Sequence, residues 1–372
     1  MGYPPRLIAH ILDINMEAEM HFRNLRFVAA VAVVLSLVQG QALAQAVNAK
    51  PAKTVTGTWT APRTVDGQPD LQGVWANNNA TPLERPKELA GRPFLTEQEV
   101  AALKKTANEL FSGQADAAFG DTVFLSVLAN VKGTKAGFKS TDGETGDYSS
   151  VWTVERNWDN RTSLITEPSD GRLPAMTPQA QQKQLAASAA RTGRPSGPED
   201  RSLSERCITF GSPRLGAGYN SYFQILQSAK EAVILMETIH DARLIPLDGS
   251  PHLPSNIRTW LGDARGHWEG GTLVVDTTNY KPGVFMNVSS EKLHVVEKFT
   301  RTGADTLKWE ITIDDPGAWS QPWTAMIPLQ HSKDAIFEYA CQEGNYGLQG
   351  ILAGARAEER SAGAAEKTSQ LK

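Results

Sequence analysis

Residues 260–280, WLGDARGHWEGGTLVVDTTNY, decide how the rest of the chain is read. Asp263–Gly266 carries one turn signal and Glu269–Gly271 a second, and the run TLVVDTT that follows is rich in strand formers. Period-two alternation puts Leu273 and Val275 on one face, and Trp260 and Trp268 are spaced to pack across the pair. The stretch reads as scaffold, a hairpin inside a larger sheet. His267 is its secondary candidate for chemistry.

The same grammar extends on both sides. SYFQILQ, EAVILMET, ARLIPL, IRTWLG, GHWEG, TLVVDTTNY, KLHVVEKFT, TLKWEITID, PWTAMIPL and AIFEYACQ are short runs of β-branched and aromatic residues. DG, EGG, RTGAD and DDPG separate several of them. No helix between them is long enough to cross over, so they predict an antiparallel meander over residues 219–356. Such a meander must close or fold over to protect its edges. The expected fold is mainly β: an up-and-down, lipocalin-like barrel or half-barrel, with a two-sheet sandwich as the alternative.

Residues 47–218 read as an N-terminal wrap around that body. DGQPDLQGVWANNNATPLERP (66–86) is an extended segment lying on another surface. Thr96 with Glu99 three residues later forms a capping box, flanked by Leu95 and Val100 as a hydrophobic staple. Thr177 followed by Pro178 starts a second helix, ending near Arg191. At the other end, Leu348, Ile351 and Leu352 predict a short helix, and residues 357–372 a disordered polar tail.

The sequence MHFRNLRFVAAVAVVLSLVQGQALAQA from Met20 has the form of a secretory signal peptide. Arg23 and Arg26 precede a short apolar run, and Ala-x-Ala sites place cleavage near Ala44 or Ala46. Residues 1–19 then read as an upstream start. The apolar run is too short for a comfortable span, which sets aside an uncleaved anchor. The expected location is periplasmic or secreted, with no stable membrane span after processing. In that setting Cys207 and Cys341, the only two cysteines, favour a disulfide over two buried thiols or a nucleophile. A net charge of −4 gives no support to a nucleic-acid partner, which would want a basic face.

The strand region is similar to the repeating hairpins of lipocalin-like (calycin) barrels. More specifically, GQPDLQGVW, NRTSLITEPSDGRLP, PEDRSLSERC, WLGDARGHWEGGTLVV, LHVVEKFT and YACQEGNYGLQGILAGAR resemble an uncharacterised family of exported bacterial proteins. The resemblance spans about Gly67 to Arg356. It implies one evolutionary unit and transfers no catalytic residue.

The chemistry-bearing residues concentrate between 237 and 297. ETIHDARLIPLDGSPHLP supplies Glu237, His240, Arg243 and His252; His267 and His294 follow. A histidine steered by a carboxylate moves protons near neutral pH, and an arginine stabilises an anion. This reading makes His240 the base, Arg243 the anion stabiliser, and Glu237 or His252 the partner. Counted by alternation, His240 ends the inward row of Ala232, Ile234 and Met236. The plain alternative is a histidine satisfied by a backbone group at a strand end. No cofactor is expected; the alternative is zinc or another divalent metal, which, with neither His-x-x-x-His nor His-x-His spacing in the chain, would need ligands assembled across strands. Dinucleotide, P-loop and serine-elbow patterns are missing. Trp260, Trp309 and Tyr339, with His267 and His294, are the candidate binding residues. The expected function is binding of a small molecule, with cofactor-free acid–base catalysis (lyase, dehydratase, isomerase or hydrolase) on an apolar, aromatic or sugar-like substrate. The alternatives are a carrier of a hydrophobic ligand and an envelope structural protein.

Overall fold

A computed structural model describes residues 59–111, 121–134 and 155–370. The proposed signal peptide and the start of the wrap, up to residue 58, lie outside them. The described residues form ten strands: β1 (Gly73–Ala76), β2 (Ile165–Glu167), β3 (Tyr222–Gln227), β4 (Glu231–Met236), β5 (Ala242–Pro246), β6 (Asp263–Glu269), β7 (Thr272–Thr278), β8 (His294–Gly303), β9 (Thr306–Asp314) and β10 (Trp323–Ser332). They form one antiparallel sheet in the order β5-β4-β3-β1-β10-β9-β8-β7-β6, with β2 pairing β10 off that path.

The mainly β, half-barrel expectation holds, and the closed up-and-down barrel does not. The hydrogen-bonded path ends at β5 and β6, and no ladder joins them. Nor is the sheet a simple meander. β1, from the segment read as a surface wrap, lies between β3 and β10, with Trp75 opposite Phe223 on one side and His331 on the other. Residues 59–370 fall in one compact unit. Gln227 fixes the insertion by accepting from Leu71 N (2.6 Å) and donating to Pro69 O (3.1 Å).

Alternation decides which side of the sheet is core. In β9, Leu307, Trp309, Ile311 and Ile313 are buried while their neighbours are half-exposed, and β10 repeats the pattern with Trp323, Ala325, Ile327 and Leu329. The sheet curls so that these inner faces meet. Phe223 of β3 packs edge-on against Trp309 of β9 with centroids 5.5 Å apart, and Trp309 stacks on Phe299 of β8 at 5.7 Å. The two end strands also approach. A Cβ on Gly266 of β6 would lie 2.6 Å from Leu247 Cδ2 and 2.7 Å from Ile245 Cγ2, so only glycine fits.

Five of the sequence assignments shift. Asp263–Gly266 is not a turn but the start of β6; the chain turns before it, at Gly262 with φ +73°. Ile257–Gly262 and Ala335–Gln342 are not strands. The C-terminal helix is not short, and residues 357–370 continue it: Tyr346–Gln370 is one helix. The two expected helices form where their caps place them. α1 (Glu97–Leu110) has the Thr96–Glu99 capping box, and in α3 (Pro178–Thr192) Thr177 Oγ1 accepts from Ala180 N at 3.1 Å. α2 (Thr122–Val131) was not legible as a pattern; Phe124, Val127 and Leu128 bury it against Leu103 and Ala107 of α1. The C-terminal helix is α4.

An ion pair sits in the sheet interior. Arg243 of β5 donates Nη1 to Glu297 Oε1 of β8 (3.0 Å) and Nη2 to Glu297 Oε2, and Trp309 Nε1 donates to Glu297 Oε1 (3.1 Å). Burial alone would lower the Arg243 pKa, but the Glu297 charge and hydrogen bonds outweigh it and raise the pKa. We expect Arg243→Met to cost about 3–5 kcal/mol by stranding the Glu297 charge, and Arg243→Met/Glu297→Leu to recover most of that loss. Urea unfolding of the three proteins measures it; equal losses in the single and double variants would contradict the assignment.

Candidate functional site

The four residues assigned to acid–base work do not meet. Arg243 is committed to Glu297 inside the sheet. Glu237 is buried and accepts from Asn220 Nδ2 (2.8 Å) and Phe337 N (2.9 Å). His240 is exposed, and its Nε2 accepts from Tyr339 N at 3.1 Å. The inward alternation stops at Met236, because Ile239 and His240 turn the chain at φ +56° and +55°. His240 thus plays the role of a histidine satisfied by a backbone group.

Glu237 and His240 instead clamp residues 337–339 onto the β4–β5 turn, and the chain arrives there tied by a disulfide. Cys207 and Cys341 are bonded, with Cα atoms 5.7 Å apart and 134 residues between them in sequence. Closing so long a loop restricts the unfolded chain by about 5 kcal/mol in the loop-entropy account. That constraint offsets local strain, since Cys207, Asn220, Ile239 and His240 all have positive φ. Tyr339 joins this corner: its hydroxyl is 3.4 Å from Tyr219 Oη, and its ring is edge-on to Phe210. Arg214 lies over Phe210 and donates to Tyr219 O at 2.8 Å. Burial raises the pKa of Asp241, which accepts from Thr209 Oγ1 at 2.6 Å. The interior space beside Arg214, Trp309 and Arg243 is only about 10 Å³.

His252, His267 and His294 lie on the outer side of β6–β8. His252 presents Nδ1 to Asp263 Oδ2 (3.1 Å) and Nε2 to Asp276 Oδ1 (2.8 Å), while His294 Nε2 bonds Asp276 Oδ2 at 2.7 Å. Leu253 N donates to Asp263 Oδ2 (2.7 Å) and Arg265 Nε to Pro251 O (3.1 Å). Together these bonds strap the β5–β6 connection over the sheet. His267 is exposed beside Glu269 (3.2 Å). Among the described residues no group of three or more His, Cys, Asp or Glu is placed to hold a metal ion. Trp260 carries the Lys281 ammonium 4.3 Å above its ring, and Trp309 is buried against Glu297 beside the small interior space.

The room for a ligand lies elsewhere, in a cleft of about 810 Å³ outside the sheet. Its floor is the outward row of β10, Met326, Pro328 and Gln330. One wall is α1, with Lys104, Ala107, Asn108 and Phe111, and the rim is residues 155–159. The α1–α2 pair can stand beside β10 because it has a small core of its own, which also holds Trp158. The rim is fixed in place. Asp159 accepts from Thr81 Oγ1 (2.9 Å) and from Arg161 N (2.8 Å), and Arg161 Nη1 donates to Met326 O (2.8 Å). Burial lowers the Arg156 pKa to about 10 despite Asp121, and its guanidinium lies where a Cβ on Gly218 would be. The cleft thus abuts the loop carrying Tyr219. None of the proposed site residues lines it. The lining comes from residues 79, 104–111, 123, 155–161 and 326–330, so no local motif announces it.

No family model, no curated protein and no solved structure matches this chain.

The outer-face bonds predict a pH dependence. The hydrogen bond to Asp276 raises the His294 pKa above its ordinary 6.5, and that same bond lowers Asp276. A raised histidine contributes stability that is complete below its unfolded pKa and fades as pH rises through the folded one. Asp276 contributes above its unfolded pKa and loses this as pH falls through its lowered one. His294 is exposed enough for solvent to screen the pair, so His294→Asn should cost under about 1 kcal/mol. Thermal melts of the two proteins should differ most near about pH 5 and converge in alkali; a gap that widens with pH would refute the pairing.

Proposed function

We propose that this chain is an exported small-molecule-binding protein whose ligand occupies the cleft between α1 and the outer face of β10. The observation that carries this is the contrast in room: about 810 Å³ in the cleft against about 10 Å³ inside the sheet. Small-molecule sites run to roughly 300–1,000 Å³. The interior is filled by Phe223, Phe299, Trp309 and the Arg243–Glu297 pair, which argues against carriage inside a barrel. Binding without catalysis is favoured over the acid–base reading because Glu237, His240, Arg243 and His252 are each engaged by different partners.

Export rests on the signal-like sequence after Met20 and is supported by the Cys207–Cys341 disulfide, a bond that fits an oxidising compartment. Among the described residues no helix is long and apolar enough to cross a membrane.

A thermal-shift screen of small molecules tests the site. A ligand at 100 times its Kd stabilises by about 2.7 kcal/mol, or roughly 4 °C for a chain of this size. Met326→Trp, which fills the floor of the cleft, should remove that shift and leave the unliganded melting temperature in place. Shifts that survive Met326→Trp would put the ligand elsewhere.

A further inference from the structure

We propose that the molecule bound in the cleft is a neutral saccharide, an inference that rests on the cleft being the binding site. Besides Asn79, whose amide is bonded to Asp159 and Thr81, three carboxamides enter the cavity from three elements: Asn108 from α1, Asn157 from the rim and Gln330 from β10. None of the three side chains is hydrogen-bonded within the described residues. A carboxamide both donates and accepts, which is the pattern a sugar hydroxyl also presents. An apolar ligand would strip water from all three and return no bond.

Trp158 supplies the complementary surface. Its ring is held by stacking on Phe124, with centroids 5.8 Å apart and planes 28° from parallel, and it lines the cleft beside Asn157. A flat aromatic surface held in place next to amides suits a ligand with an apolar C–H face and a polar edge. The charges argue for neutrality. Arg161 is spent on Asp159 and the Met326 carbonyl, Arg156 is buried near Asp121, and the remaining charges are one of each sign, the Lys104 ammonium on α1 and the Glu155 carboxylate at the rim. An anionic ligand would meet acids as well as bases here.

Titration calorimetry on the whole mature chain tests this, with cellobiose, maltose and chitobiose as probes and laurate and AMP as controls. At least one disaccharide should bind. Asn108→Leu and Gln330→Leu should each weaken it about tenfold, the size expected for one lost hydrogen bond with an unpaired partner. Neither variant should change the far-ultraviolet circular dichroism or the melting temperature. Trp158→Phe, which keeps a ring on Phe124, should weaken it by a smaller factor. If laurate or AMP binds in a way that Met326→Trp abolishes and no saccharide does, the ligand class is wrong and the cleft stands. If no probe responds to Met326→Trp, both fail. Saccharide binding indifferent to Asn108→Leu and Gln330→Leu would also overturn the assignment.

Discussion

The Arg243–Glu297 pair ties one end of the sheet to strands near its other end. Two charges out of water are tolerated only when each is matched, and here the match requires β5 and β8 to face one another across the interior. That requirement curls the sheet. Trp309 and Thr277 supply further hydrogen bonds to the pair, and Gly266 removes the side chain that would hold β5 and β6 apart. The curled interior is then full. Whatever this protein binds has to be accommodated outside it.

The outer face provides two distinct environments. Over β6–β8, the His252–Asp276–His294 chain and Asp263 strap a connection onto the sheet, and the imidazoles serve packing and register. Over β10, the α1–α2 pair satisfies its own apolar faces and leaves a polar, aromatic-edged cleft. Between these regions the disulfide corner stores backbone strain at Ile239, His240, Asn220 and Cys207 while gathering Arg214, Tyr219, Tyr339 and Asp241. Gly218 lets Arg156 lie against this corner, so the cleft and the corner share a wall.

How far the sequence could be read varies from residue to residue. The Thr96–Glu99 and Thr177–Pro178 signals act over a few residues and were legible as they stand. The β7–β10 strands were legible because period-two burial is written into each run. β1 was missed as a strand because four residues, GVWA, carry too little alternation to announce a central position; their place comes from ladders to β3 and β10. His240 was misplaced because alternation was extrapolated four residues past Met236, across a turn whose left-handed residues are not glycine. The cleft was invisible for a different reason: its walls are remote in sequence and no single segment carries a motif.

By itself the sequence determined the class of fold, the starts of α1 and α3 and the pairing of the only two cysteines. Each follows from local periodicity, local capping or a count. Only the tertiary structure decided that the sheet stays open at β5 and β6, that β1 is central, and that Arg243 answers Glu297 rather than a ligand. These depend on which surfaces meet when the sheet curls, and that contact energy is spread over residues far apart in the chain.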